Sequence, residues 1–281
     1  MEPQAYLTPQ DDFTPPPKRI VRFLYRPLKA YFDPVFRGMD NVSADQPALY
    51  VGNHTIFGLT DGPLYGAEFY LEKDIFLRTL VDDMHRSIPV SRSVMTDYGA
   101  VYGSREHCAA LMEQGQHILV FPGGTREVCK KRDELYTLVW KQRYGFVKMA
   151  IEHGYPIIPI AGIGGDDLYD IRVDSNDVMT SPVGDLLHFT GLDKRLFKDG
   201  EHIPPLATGI GLTPIPKPGR IYYQVQPPIH TTDHAGRGDD RAVLQEVRAQ
   251  VEASLNDGMH DLQKVRSEDE VPAWRRFLGD L

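Results

Sequence analysis

The chain has 281 residues, enough to bury a sizeable core as one large domain or two small ones. A quarter of them are charged and 41% are apolar, which excludes disorder throughout, and a formal charge of −8 argues against general nucleic-acid binding. Two cysteines, Cys108 and Cys129, form no CxxC pattern, so neither a disulfide framework nor a zinc site is expected, and they fit a reducing compartment.

Residues 1–17 end in TPPP and are expected to form an extended or disordered lead. The start lacks the order of a signal peptide, and no apolar run reaches the roughly 20 residues that span a bilayer, so a soluble or peripherally bound protein is expected. Residues 18–37 hold Lys18, Arg19, Arg22, Arg26, Lys29 and Arg37 against Asp33 alone, a local balance of +5 that leaves −13 for the rest. Ile20, Leu24, Leu28, Tyr31 and Phe32 recur at helical spacing, and Pro27 predicts a kink. Basic and aromatic residues interleaved on a helix fit an anionic membrane interface, with a solvated basic face on a core-packed helix as the alternative.

From 38 to 235 short apolar runs alternate with helical patterns. ALYVG (48–52), IFL (75–77), HILVF (117–121), IIPIAGI (157–163) and RIYYQVQ (220–226) read as strands. SREHCAALMEQG (104–115) reads as a helix with Ser104 as N-cap and Gly115 as its stop, and residues 134–154 as one long amphipathic helix. This rhythm predicts an α/β domain with a central mixed, mostly parallel sheet flanked by helices. Residues 171–219 break it with Pro, Gly and scattered apolar residues, either a hydrophobic lid or tunnel wall or a pair of short helices. The tail, 236–281, places Val243, Val247, Val251, Leu255, Met259 and Leu262 on one face of a long helix packed on the domain, and ends in an aromatic stretch with Trp274 and Phe277.

Four blocks carry candidate chemistry. GNHTIFGLTDGPL (52–64) puts His54 just after a strand, where open α/β sheets place their ligands. DYGAVYGSRE (97–106) is a Gly-rich turn leading into a helix, and IIPIAGIGGDDLYD (157–170) is a strand running into another. VFPGGTREV (120–128) forces a turn after a strand, so that Thr125, Arg126 and turn amides face an anionic or carbonyl oxygen. Asp166, Asp167, Asp170, Asp174 and Asp177 lack the EF-hand glycine and terminal glutamate and read as a solvated acidic loop. His85 and Arg86 read as a surface pair, and GxSxG, GxxxxGK[ST] and HExxH patterns are absent.

GNHTIFGLTD and FPGGTRE, with 67 positions between His54 and Phe121, resemble the NHxSxxD and FPEGTR blocks of the phospholipid/glycerol acyltransferase superfamily. The PGG variant followed by RE, residues 121–167 and TPIPKPGRIYYQVQPPI (213–229) look most like its diacylglycerol acyltransferase and phytyl ester synthase branch, and the likeness covers roughly residues 35–235.

The resemblance implies a glycerolipid acyltransferase-like fold. It implies a fatty acyl group moved from acyl-CoA or acyl carrier protein to a hydroxyl of a glycerolipid or other lipid alcohol. Membrane lipids and that donor are then the partners, without metal, nucleic acid or a further cofactor, at a peripheral membrane site on the cytoplasmic side. It gives His54 the role of base and an acid the role of its partner. The family acid stands five residues after the histidine, but here that position is Leu59, and the first acid is Asp61, seven along. Asp61 either reaches His54 across a bulged loop or caps the next helix, leaving Thr60 or a backbone carbonyl to orient the ring. Gly123, Gly124, Thr125, Arg126 and Glu127 are the expected substrate-binding residues. Arg126 either holds a phosphate or bridges to Glu127 or Asp133, and Gly123 stands where the family places Glu. A non-catalytic lipid-binding protein and an esterase or thioesterase are the alternatives.

Overall fold

A computed structural model describes residues 7–10, 12–82, 89–198 and 200–279. Helix α1 (Lys18–Phe32) ends where Asp33 turns left-handed before Pro34. Strands β1 (Val35–Arg37) and β2 (Leu49–Gly52) are followed by α2 (Asp61–Lys73), β3 (Leu77–Val81), α3 (Pro89–Asp97) and β4 (Val101–Tyr102). Then come α4 (Arg105–Glu113), β5 (His117–Val120), the short α5 (Gly124–Val128), α6 (Gly145–His153) and β6 (Ile157–Ile163). The segment that breaks the rhythm contains β7 (Asp170–Val173), α7 (Ser175–Met179), α8 (Pro182–Thr190), α9 (Leu192–Phe197) and β8 (Leu206–Thr208). Strand β9 (Tyr222–Val225), the 28-residue α10 (Arg241–Glu268) and α11 (Ala273–Gly279) complete the chain.

Seven strands form one sheet in the order β1-β9-β6-β2-β5-β3-β4, parallel throughout except for β6 against β9. This is the expected mixed, mostly parallel sheet. β2 lies inside it, with Tyr50 opposite Leu119 of β5 and Ile158 of β6. Because these three strands are parallel, the segments after Gly52, Val120 and Ile163 all leave the sheet at one carboxyl edge. Alternate residues serve opposite faces. Leu49, Val51, Ile157, Ala161 and Ile163 pack with α4, α6 and α10, whereas Tyr50, Ile158, Ile160 and Tyr223 pack with α1 and α2. The expected stripe on α10 is fully or nearly fully buried.

Several expectations need correction. The described part of the lead makes contacts with the domain: Leu7 is buried and its carbonyl accepts from Tyr102 N at 2.7 Å, and the Arg78 guanidinium sits 4.2 Å from the Phe13 ring centre. The basic helix stops at Phe32, and residues 35–37 pair with β9 instead. Within α1 the inward stripe is Val21, Tyr25, Leu28 and Phe32. Of the apolar residues noted at helical spacing in the sequence, Leu28 and Phe32 pack inward, whereas Ile20 and Leu24 are exposed. The helix expected over 134–154 is cut to 145–153, because Tyr136 and Lys141 take left-handed conformations that end helical repetition. The 171–219 segment holds three short helices and the β7–β8 antiparallel pair. The acidic loop is only partly solvated: Asp166 and Asp174 are buried. Ser104 caps α4 as expected, its Oγ accepting from His107 N at 3.1 Å. His85 and Arg86 lie outside the described residues.

Candidate active site

The site begins where β2 ends. Asn53 extends the strand ladder with its side chain, which donates to Gly162 O at 2.9 Å and accepts from Gly162 N at 2.8 Å. This double bond to the backbone of β6 fixes where the next residue starts. The ring of His54 then stacks on Phe121, with centroids 4.1 Å apart and planes 11° from parallel. Phe121 immediately follows β5, so neighbouring parallel strands set the plane of the imidazole.

Asp61 is that ring's partner. Its Oδ2 lies 2.6 Å from His54 Nδ1, and the carboxylate also accepts from Thr55 N at 2.8 Å and Thr55 Oγ1 at 3.0 Å. The two extra positions relative to NHxSxxD are absorbed by a single turn, Ile56–Gly58, in which Phe57 and Gly58 both have positive φ. Asp61 is fully buried at the first residue of α2, where the helix dipole favours a negative charge. Thr60 holds the N-cap position without a side-chain cap bond, and Asp61 turns back to the His54 loop instead of capping. A carboxylate at Nδ1 fixes the tautomer that carries its proton there and leaves Nε2 as the open acceptor. Gly58 guards that edge: a Cβ would lie 2.5 Å from His54 Cε1 and 2.9 Å from Nε2.

Buried charges hold the backbone of the same loop. Lys130 Nζ donates to His54 O at 2.7 Å and to Asp166 Oδ2 at 2.8 Å. Asp166 accepts from Ile56 N at 2.9 Å and Tyr136 N at 2.9 Å. Glu127 accepts from His54 N at 3.2 Å through Oε2 and from Val139 N at 3.3 Å through Oε1. The amides of residues 54, 55 and 56 and the carbonyl of 54 are thus each bound to a charged side chain. Burial raises the Glu127 carboxyl above its ordinary value, and the charges of Lys130 and His54 oppose that rise. Asn53, Lys130 and Asp166 are missing from the sequence-predicted set.

The third block comes to the same edge. Gly124 N closes a turn onto Phe121 O at 3.0 Å, so that amide is already used. Thr125 Oγ1 is buried and without a partner among the described residues. Arg126 is buried; it pairs with Glu134, not with Glu127 or Asp133, and reaches Cys129 O at 3.4 Å. Glu127 is fully buried, with both oxygens bonded inside the protein, which corrects its expected role in touching substrate. Of the five expected binding residues, Gly123, Gly124 and Thr125 form the turn that follows Phe121, the ring stacked on the imidazole, while the side chains of Arg126 and Glu127 are engaged inside the protein.

Residues 33–162 match the family model described as Acyltransferase. Phytyl ester synthase 1, chloroplastic, of Arabidopsis thaliana is 31% identical over 92% of this chain, and Phytyl ester synthase 2, chloroplastic, of the same plant is 30% identical over 84%. The chain spans 40% and 35% of the length of those two proteins. The crystal structure of the 1-acyl-sn-glycerophosphate (LPA) acyltransferase PlsC from Thermotoga maritima superposes with a TM-score of 0.56 at 15% identity. It covers 91% of this chain and 81% of its own, a likeness of fold. With the His54 and Gly123 blocks both at the carboxyl edge of that fold, the chain belongs to the acyltransferase superfamily, in the branch that includes the phytyl ester synthases.

Proposed function

We propose that the protein is an O-acyltransferase that moves a fatty acyl group from the thioester of acyl-CoA or acyl carrier protein to a hydroxyl of a glycerolipid or other lipid alcohol. The observation that carries this reading is the 2.6 Å contact between His54 Nδ1 and the buried Asp61, with Nε2 left open beside Gly58. His54 Nε2 takes the proton of the acceptor hydroxyl as its oxygen attacks the thioester carbonyl. The carbonyl becomes an oxyanion next to the amides of Gly123 and Thr125, whose first-turn position leaves them without intrahelical acceptors. Collapse expels the thiolate, which takes the proton back from the imidazolium, and the ester is released. Asp61 holds the tautomer throughout. Arg126, already paired with Glu134, organises the turn in this reading and does not hold a phosphate.

Peripheral membrane binding is part of the proposal. Outside its buried stripe, helical spacing divides α1 into an apolar strip of Ile20, Phe23, Leu24 and Pro27 and a basic strip of Arg19, Arg22, Arg26 and Lys29. Phe23 is 75% exposed. Arg19, Arg22 and Arg26 have no hydrogen bond or ion pair among the described residues. A cleft of about 500 Å³ beside α2 is lined by Arg22, Arg26 and Lys29 together with Tyr25, Leu71 and Glu72. No helix among the described residues is long and apolar enough to cross a membrane. The strips support a helix lying in an anionic interface, where acceptor lipids are found.

The direct test is purified protein with labelled acyl-CoA or acyl carrier protein thioester and an acceptor panel of lysophospholipid, diacylglycerol and phytol. Acceptor-dependent ester that disappears in His54→Ala is the expected result. Free fatty acid released without acceptor dependence identifies a thioesterase instead, and equal ester formation by His54→Ala overturns the mechanism.

A further inference from the structure

Gly123 has φ −68°, a conformation open to any residue, so its backbone does not call for glycine. The space does. A Cβ on Gly123 would lie 2.2 Å from Glu127 Oε2, 2.3 Å from Cδ and 2.5 Å from Cγ. The place of a side chain at 123 is already filled by the carboxyl group of residue 127, which arrives from one helical turn further along α5. That group is fully buried, and its two oxygens tie the amide of His54 to that of Val139.

We propose that Glu127 is the positioning residue that locks the His54 loop to the Gly123 turn, and that Gly123 is glycine because this carboxylate occupies its side-chain space. The FPEGTR form resembled by this segment carries its acid at position 123; here the acid has moved four residues on while its carboxylate stays beside Gly123. The proposal rests on His54 as the base only for its kinetic readout. The imidazole sits between two supports, Asp61 at Nδ1 and Glu127 at the backbone amide, so loss of Glu127 lets the ring shift against the turn amides without removing a reacting group.

The test is a relocation. Glu127→Ala is expected to lower kcat about 10- to 100-fold with KM little changed, the cost of misplacing a catalytic group by about an ångström. Gly123→Asp in the Glu127→Ala background restores a carboxylate two bonds beyond Cβ, close to the vacated position, and is expected to recover most of that loss. Gly123→Asp alone, with two carboxyl groups in one space, is expected to fold poorly or lose activity. Amide hydrogen exchange at residues 54 and 139 gives a readout without turnover: exchange at both speeds up in Glu127→Ala, and that at 54 slows again in the double variant. A merely space-filling role predicts that Gly123→Leu/Glu127→Ala does as well as Gly123→Asp/Glu127→Ala. That equality overturns the proposal, as does a folded Glu127→Ala with unchanged kcat and unchanged exchange at 54. If the wild-type protein transfers no acyl group, the acyl-transfer reading fails while the exchange arm still decides the role of Glu127.

Discussion

The loop after β2 and the outer face of α1 invert the usual placement of residues in opposite ways. Around His54 the protein buries charge: Asp61, Glu127, Lys130 and Asp166 are all almost wholly removed from solvent. On α1 it exposes apolar groups, with Ile20, Phe23 and Leu24 facing outward, and α8 does the same with Val183, Leu186 and an 89% exposed Phe189. Soluble proteins do neither without cause, because buried charges need partners and exposed apolar patches need a surface to meet. In the first region the partners are internal, and four side chains fix one short stretch of backbone. In the second no partner is found among the described residues, which is why the proposed partner there is a lipid surface. The braced loop at the histidine and the proposed docking face on α1 thus arise from the same rule, broken in two directions.

The sharpest way to break the first half of this contrast is to remove the group it serves. His54→Ala is expected to lower kcat about 10²- to 10⁴-fold, the range for loss of a general base. Its thermal unfolding should stay close to wild type, because the ring is partly open and its removal strands no charge other than Asp61, which keeps Thr55 N and Oγ1 as donors. Asp61→Asn should fall in the same range with KM little moved, since an amide at that position misorients the imidazole without touching substrate.

Next in size is Lys130→Met. It leaves the buried Asp166 facing only amides and frees the His54 carbonyl, so a loss of about 3–5 kcal/mol is expected in chemical denaturation. Lys130→Met/Asp166→Asn should regain part of that stability but little activity, because the missing ammonium no longer holds His54 O. If the double variant recovers activity in full, the pair stabilises the fold without positioning the histidine.

His54 and the Gly123 turn were legible because each stands in a short block whose order and spacing resemble a known pattern, whereas Asp61, two positions beyond that pattern, was one of several candidates for the partner of the imidazole. Asn53 and Lys130 were not legible. An asparagine before a histidine looks like any loop residue until its amide is seen pairing both backbone groups of Gly162. Lys130 lies in CKKRDE, where every neighbour is polar, and no pattern separates the lysine that turns inward from the one that faces water. Asp166 was misread for the same reason. Five strands of the sheet were legible from their apolar runs; β1 and β4, only three and two residues long, were not. The break of the 134–154 helix was not, because its apolar side chains, among them Trp140, are buried even though the backbone at Tyr136 and Lys141 is left-handed. Apolar spacing reports burial, and here burial did not require a helix.

The second half of the contrast is sharpened on α1. Changing Arg19, Arg22 and Arg26 together to Gln should weaken binding to vesicles rich in phosphatidylglycerol by about 100-fold, at roughly 1 kcal/mol for each charge near the surface. Phe23→Ser with Leu24→Ser should weaken binding to neutral vesicles as well, leaving chemical stability nearly unchanged because neither side chain is in the core. Equal flotation of all variants removes α1 from membrane docking.

The smallest effect is expected at Asp174, at the start of α7. Its carboxylate caps α7, accepting from Asn176 N at 2.9 Å and Asp177 N at 3.3 Å, and it also accepts from Arg132 N just beyond the Lys130 network. Burial pushes this carboxyl upward, but the backbone bonds from Arg132, Asp177 and Asn176 and the Arg132 charge outweigh it, so the group sits below its ordinary value of 3.8. A carboxyl depressed on folding adds stability above its unfolded value, and that stability disappears as pH falls through the folded one. Asp174→Ala should therefore cost about 1 kcal/mol at neutral pH, a typical N-cap loss, whereas Asp174→Asn, an equally good cap, should cost much less. The gap between wild type and Asp174→Asn should narrow as pH falls below about 4, where the unfolded chain takes up a proton that the folded carboxylate still refuses, and should be gone below the folded value. A gap that stays constant down to pH 2 would mean that the aspartate acts through its shape as an acceptor and not through its charge.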